Sequence, residues 1–276
     1  MQHPNMSPIA LDLGFAQIHW YGVMYLCAFA FSYWFLRRRA NQGLAPFSAE
    51  QVDDIIFYGA MGVILGGRIG YMLFYGFEGL MENPASIIRV WEGGMSFHGG
   101  FIGVVLSISL YCRKHNIKLG AMFDMLALAV PMGLGFGRLG NFIGQELWGR
   151  ATDGPWGMVF PKDPSGLARH PSQLYEAALE GVVLFLIVVW FANKPRPQWA
   201  TGALFIIGYG SFRFLVEFVR QPDSHIGYDL FDWMSRGQIL SLPMILIGVI
   251  VMVWAYKRGE PLSHQFSDKY LKSEKK

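Results

Sequence analysis

Residues 122–143 read MFDMLALAVPMGLGFGRLGNFI, an apolar run with Asp124 near its start and Arg138 and Asn141 near its end. About 20 mostly apolar helical residues cross the roughly 30 Å hydrocarbon layer of a bilayer, and this run is long enough to do so. An ionised side chain at that depth costs about 2.5–17 kcal/mol depending on the method, so Arg138 needs a partner or a task. Working outward, six further segments approach the same length: 20–36, 55–75, 97–111, 174–191, 203–219 and 239–256. The pattern predicts an all-α integral membrane protein with about seven transmembrane helices.

The composition agrees. Of 276 residues, 53% are hydrophobic and 16% charged, where a soluble domain carries about 25% charged residues. The mean hydropathy is +0.29. Disorder, a coiled coil and a nucleic-acid module are excluded, and a net charge of +3 advertises no polyanionic partner. Cys27 and Cys112 both sit in apolar stretches, which excludes a disulfide scaffold and a cysteine-ligated metal. The first segment lacks a basic leader and a cleavage site, so it is expected to remain in the mature chain.

Basic residues orient the spans. Arg37-Arg38-Arg39, Arg113-Lys114 with Lys118, Lys194 with Arg196, and Lys257-Arg258 with the basic tail follow the odd-numbered spans and share a side. The opposite loops carry Glu78, Glu82, Asp153, Asp163, Asp223 and Asp232. The N-terminus is therefore expected outside and the C-terminus in the cytoplasm. No repeat or linker divides the chain, so 1–276 forms one membrane domain, with an external surface arm at 76–96 and a small external head at 144–173.

Polar residues recur at helical spacing within the apolar segments. Tyr209, Arg213 and Glu217 step by four, with Arg220 continuing their face, and Arg138, Asn141 and Gln145 step by three and four. Glu176 and Glu180 occupy the fifth span, and Arg68 follows Gly66-Gly67 in the second. One reading is a salt-bridge lattice, Arg213 with Glu217 and Arg138 with Glu146. The other is a site for an anion, since several cations, amides and tyrosines near one boundary exceed what packing needs. Glycine stripes at Gly62, Gly66, Gly70 and at Gly133, Gly137, Gly140, Gly144 suit close helix packing; beside Arg138 the second stripe also leaves room for a lipid head group.

His98 lies within Gly93-Gly94-Met95-Ser96-Phe97-His98-Gly99-Gly100. It is either a structural hydrogen-bonder or a proton-transfer group made accessible by its glycines. The run from His170 to Glu176 reads largely as a helix start, leaving His170 a secondary candidate. Tyr21 fits an aromatic belt and a site residue equally well. Zincin, nucleophile-elbow and Walker motifs are absent from the sequence.

Taken together these runs resemble the prolipoprotein diacylglyceryl transferase family. The resemblance covers nearly the whole chain, through His19-Trp20-Tyr21-Gly22, Gly66-Gly67-Arg68-Ile69-Gly70-Tyr71 and Gly94-Met95-Ser96-Phe97-His98-Gly99-Gly100. It continues through Gly137-Arg138-Leu139-Gly140-Asn141-Phe142, Glu146-Leu147-Trp148-Gly149-Arg150, the Arg169–Glu176 stretch and Tyr209-Gly210-Ser211-Phe212-Arg213. The family commonly has an asparagine three residues beyond the position of Asn141, where this chain has Gly144-Gln145.

The resemblance implies a multi-pass enzyme of the bacterial cytoplasmic (inner) membrane with its site toward the external, periplasmic face. It would move a diacylglyceryl group from phosphatidylglycerol, a membrane lipid, to the lipobox cysteine thiol behind a prolipoprotein signal segment, forming a thioether and releasing glycerol phosphate. No metal, cofactor or nucleic acid is implied. His98, Arg138, Arg213 and Tyr21 would be catalytic, and Asn141, Tyr209, Arg68, Gly149 and His170 would bind substrate. Glu146, Glu217, Gly99 and Gly100 would support them. Another phospholipid head-group transferase, or a secondary transporter, is the alternative.

Overall fold

The computed structural model describes residues 1–15, 17–221, 228–230 and 233–259; Asp223, Asp232 and the basic tail beyond Gly259 lie outside the described residues. Each apolar segment falls on a helix. Helix α1 spans Trp20–Asn41, α2 Gln51–Phe74, α4 Phe97–Lys114 and α5 Leu119–Gly144. Helices α6 (Ser172–Glu176) and α7 (Leu184–Ala192) are joined by a π-helical stretch, Ala177–Val183, into one rod. Helices α8 (Ala200–Val216) and α9 (Arg236–Arg258) follow. Among the described residues four helical rods are long and apolar enough to cross a membrane: α2, α5, the α6–α7 rod and α9; α8 is shorter but apolar. Helices α1 and α4 fall outside that set. Both end on basic residues, Arg38-Arg39 and Arg113-Lys114, that belong to the helix body rather than to a loop.

The polar residues of α5 do not interrupt it. The helix runs unbroken through Arg138 and Asn141 and stops at Gln145, whose left-handed φ of 57° caps it.

The apolar core occupies only one half of the bundle. Phe35, Leu36, Ile55, Ile108, Met125 and Val188 meet where α1, α4 and α7 end and α2 and α5 begin. That is the end carrying the basic residues. Toward the opposite end the interior becomes polar, with Arg68, Asn141, Glu176, Glu180 and Glu217 all buried. Large apolar side chains such as Leu106, Leu110, Leu186, Trp190, Leu246 and Ile250 are exposed around the outside, as a lipid-facing belt requires.

Helices α2 and α4 pack through glycine. A Cβ added at Gly66 would lie 2.3 Å from the Gly99 carbonyl oxygen, and one at Gly103 would lie 2.1 Å from that of Gly62. With no hydrophobic drive between helices in lipid, such close backbone approach supplies the association. The Gly62 stripe is thus a packing seam and does not line a lipid path. Gly66→Ala should therefore destabilise the detergent-solubilised protein by about 1–3 kcal/mol, whereas Gly59→Ala, with nothing within 4 Å of its Cβ position, should not. Thermal unfolding of the two variants checks this.

Strands β1 (Ile9–Asp12) and β2 (Gln17–His19) form a hairpin before α1. Strands β3 (Met158–Val159) and β4 (Ala168–Arg169) pair within the 144–173 segment. The chain's start is strapped onto that segment. The Met1 amino group donates to the Gly157 carbonyl at 2.6 Å, and His3 packs between Phe142 and Phe160. His3 Nδ1 accepts from Asn5 N–H, so Nε2 carries the proton it donates to the Phe142 carbonyl. The Gln145 amide is spent here as well, accepting from Lys162 N–H at 3.0 Å and donating to Asn5 Oδ1 at 3.4 Å.

An ion pair between Asp163 and Arg169 closes the same segment. The Arg169 hydrogen bond, aided by Ser165, holds the Asp163 carboxyl at a pKa of about 2, against an ordinary value of 3.8. A depressed carboxylate stabilises the fold above its unfolded value and loses that contribution as pH falls through its folded one. Asp163→Asn should therefore lower the melting temperature near neutrality, and the gap to wild type should close as pH drops from about 4 toward 2. Melting curves across that range decide it.

The 76–96 arm is built from a short helix, α3 (Phe77–Glu82), and two 3-10 turns, Pro84–Ile88 and Val90–Glu92. Phe77, Met81, Ile88 and Trp91 are exposed on it.

Candidate active site

The polar interior centres on Glu176. Its carboxylate meets Arg213 Nη1 at 2.7 Å and Arg138 Nε at 2.8 Å, bridging guanidiniums from two helices, with Arg220 Nε 3.9 Å away. Arg213 also pairs with Glu217 one turn along α8, and Glu217 is reached by Arg220 at 3.4 Å. Ser235 Oγ donates to the other Glu217 oxygen at 2.5 Å. Glu180 stands 3.7 Å from Arg138 Nη2. Glu176 and Glu180 are fully buried and Glu217 nearly so. Tyr209 joins from α8, stacked on Phe205 and within electrostatic reach of Glu180, Arg213 and Arg138.

Two close approaches make this possible. Helix α5 crosses the π-helical stretch where Gly135 and Gly181 face each other, and a Cβ on Gly181 would come within 2.8 Å of Gly135 Cα. Contact at backbone distance brings Glu176 and Glu180 up to Arg138, on the next turn of α5. A Cβ at Gly237 would likewise lie 2.6 Å from the Glu217 carboxylate. Glycine there lets the acid sit at the start of α9, where the helix dipole and the Ser235 cap favour negative charge. Each guanidinium is held by more than one acid, which fixes its plane.

Arg138 and Arg213 thus share one acid, and Glu217 pairs with Arg213 at the four-residue helical spacing. Arg138, however, pairs with Glu176 and Glu180 and not with Glu146, because Glu146 lies beyond the end of α5 on an exposed turn. Its backbone carbonyl accepts from Gln173 Nε2 at 2.6 Å. Asn141 is buried one turn beyond Arg138 on α5. The Cβ position of Gly137, on the α5 stripe that meets α1 at Gly133 and Gly140, has nothing within 4 Å, so the α5 surface is open there. Tyr21 packs its ring on Gly140 while remaining 46% exposed, and its hydroxyl lies 3.4 Å from that of Tyr25.

His98 is exposed at the start of α4 and makes no ion pair with the cluster. Its helical stripe continues through Phe101, Val105, Ile108 and Cys112. That stripe is buried at Ile108 and Cys112 and exposed at Phe101 and His98.

Five expected residues make scaffold contacts. Arg68 donates to the carbonyls of Ser86 at 2.5 Å, Ile87 at 3.3 Å, Gly93 and Gly94, so its guanidinium pins the arm. Gly149 lies in a seam where a Cβ would meet the Val219 carbonyl at 2.5 Å and His170 at 2.7 Å. Gly99 and Gly100 pack against α2. His170 bonds Arg150 through its backbone, and its Nδ1 is 3.4 Å from the Tyr175 hydroxyl.

Glu176, one of two acids in the fifth apolar segment and the end of the helix-start run from His170, is the bridge of the whole cluster. Its four-residue spacing to Glu180 inside an apolar helix was the available signal. Nothing in the sequence pointed to Ser235 or Gly237. Chemically, fixed guanidiniums in a largely dry interior can bind a phosphate and stabilise charge that grows on it.

A family model described as prolipoprotein diacylglyceryl transferase matches residues 8–254. The chain is 53% identical over 267 residues to a phosphatidylglycerol–prolipoprotein diacylglyceryl transferase of Teredinibacter turnerae, covering 93% of each. It is 53% identical over 260 residues to the protein of that description in Vibrio atlanticus, covering 94% of each. The counterpart in Acinetobacter baylyi is 51% identical over 261 residues, covering 94% of this chain and 95% of its own.

Proposed function

The chain belongs to the prolipoprotein diacylglyceryl transferase family, and on that footing we propose how its residues carry out the reaction. The protein is a multi-pass membrane enzyme that transfers the diacylglyceryl group of phosphatidylglycerol to the cysteine thiol of a prolipoprotein. In our reading its bundle crosses the membrane seven times. The basic ends at Arg37–Arg39, Arg113-Lys114 and Lys257-Arg258 face the cytoplasm, and the arm, the head and the arginine–glutamate cluster lie toward the outside.

Sulfur attacks the sp³ carbon of the diacylglycerol, the carbon–oxygen bond to phosphate breaks, and glycerol phosphate departs. The phosphate gains negative charge as that bond opens. Arg138 and Arg213 meet this charge, and the observation that carries the assignment is their shared bridge at Glu176. Because the bridge fixes both guanidiniums before lipid arrives, little reorganisation remains for the transition state. Asn141, Tyr21 and Tyr209 orient glycerol and phosphate oxygens. The acyl chains stay in the bilayer beside the open face at Gly137.

A cysteine thiol has a pKa near 8.5, so only a few per cent is thiolate near neutrality. His98 takes the thiol proton in this scheme, and its exposed place at the start of α4 suits a group that must meet an incoming peptide. Purified protein, labelled phosphatidylglycerol and a lipobox peptide test the reading: label should reach the peptide sulfur. Head-group exchange without peptide modification would support a different phospholipid transferase. His98→Gln should cut transfer by about 10²–10⁴-fold while leaving lipid binding intact; near-wild-type turnover would remove the base from His98.

A further inference from the structure

Glu180 is wholly buried, and neither of its carboxylate oxygens has a hydrogen-bond partner among the described residues. It sits on the π-helical stretch, a geometry that recurs at functional positions. The other two acids of the cluster are better held. Glu176 accepts a hydrogen bond from Arg213 Nη1 at 2.7 Å and has Arg138 Nε in ion-pair contact at 2.8 Å, without a hydrogen bond to its Oε2, and Glu217 has Arg213 and the Ser235 hydroxyl. The groups facing Glu180 are Arg138 from α5, Tyr209 and Arg213 from α8, Glu176 on its own rod and Arg220 just past α8.

Arg138, Arg213 and Arg220 face Glu176, Glu180 and Glu217, with Arg150 at the edge donating to the Glu217 and Arg220 carbonyls. A phosphodiester seated on Arg138 brings one negative charge beside Glu180, which lies 3.7 Å from the same guanidinium. Like charges within about 4–6 Å disfavour each other, so one acid must give way. Glu180, with no hydrogen bond among the described residues and no ion-pair partner nearer than 3.7 Å, loses least by becoming neutral.

We propose that Glu180 is a positioning residue that admits the lipid's charge, taking one proton from solvent as the phosphodiester binds and returning it when glycerol phosphate leaves. A single O–H bond forms on the carboxylate, with buffer or hydronium as donor, and no other bond changes in this step. Neutral Glu180 no longer competes for Arg138, whose Nη2 turns to the phosphate. The inference rests on the reading that Arg138 and Arg213 hold that phosphate.

Calorimetry of phosphatidylglycerol binding to the full-length protein, in buffers of different ionisation enthalpy near pH 7.5, counts the protons. Wild type should take up close to one per lipid, and Glu180→Gln none. The KM of wild type for this lipid should rise about tenfold per pH unit on the alkaline side, whereas that of Glu180→Gln stays flat. Glu180→Asp, which keeps a titratable group, should restore both behaviours. Wild type binding without proton uptake overturns the proposal, whether or not the variants fold, and so does undiminished uptake by Glu180→Gln. The phosphate reading fails separately, if Arg138→Ala binds the lipid as tightly as wild type.

Discussion

Arg138→Ala should lower kcat by a factor of at least about 10³. Losing one preorganised donor to a developing anion typically costs 10²–10³ in rate, or about 3–4 kcal/mol. Here the loss goes further, because Glu176 and Glu180 would be left facing the lipid phosphate without the cation between them. Of the three arginines, Arg138 keeps the most exposed side chain, 18% against 13% for Arg213 and 12% for Arg220. It is therefore the guanidinium an arriving phosphate meets first. Arg138→Lys retains the charge but not the planar fork, so it should fall between, about tenfold to hundredfold below wild type. Steady-state kinetics with labelled lipid measure both, and an alanine variant within tenfold of wild type would remove Arg138 from the chemistry.

The second large effect belongs to Glu176→Gln. Breaking a buried ion pair by removing one partner costs about 3–5 kcal/mol, since the remaining charge stays buried and unpaired. Glu176 serves two arginines at once, so the destabilisation should reach the top of that range, and activity should fall with it. Thermal unfolding in a neutral detergent gives the first number. Adding phosphatidylglycerol should then raise the melting temperature of Glu176→Gln more than that of wild type. The lipid phosphate can replace the missing negative charge, and binding to the folded state alone stabilises it by linkage. An equal or smaller rise in the variant would separate Glu176 from the lipid site.

Much of this was legible in the chain itself. Stretches of apolar residues of bilayer length, and arginines within them, follow from composition along one dimension. The i,i+4 pair Arg213–Glu217 could be read because helical periodicity alone sets it. The cross-helix partner of Arg138 could not. Nearness along the chain suggested Glu146, but α5 ends before it, and the acids that reach Arg138 come from a segment some 40 positions onward. Glycine stripes posed the same difficulty. At Gly62 and Gly66 the stripe meets another backbone, while at Gly137 it meets open space, although the letters are alike.

Residue order was enough to read a bundle of apolar helices, which of their ends are basic, and that cations lie among them, because each of these depends only on a helix's own residues and their spacing. Only the packing of the helices shows which acid holds which arginine, that Arg68 pins the arm, and that Glu180 is buried with no hydrogen-bond partner among the described residues. Those depend on where two helices cross, and the crossing is set by contacts between residues far apart in the chain, such as Gly135 with Gly181.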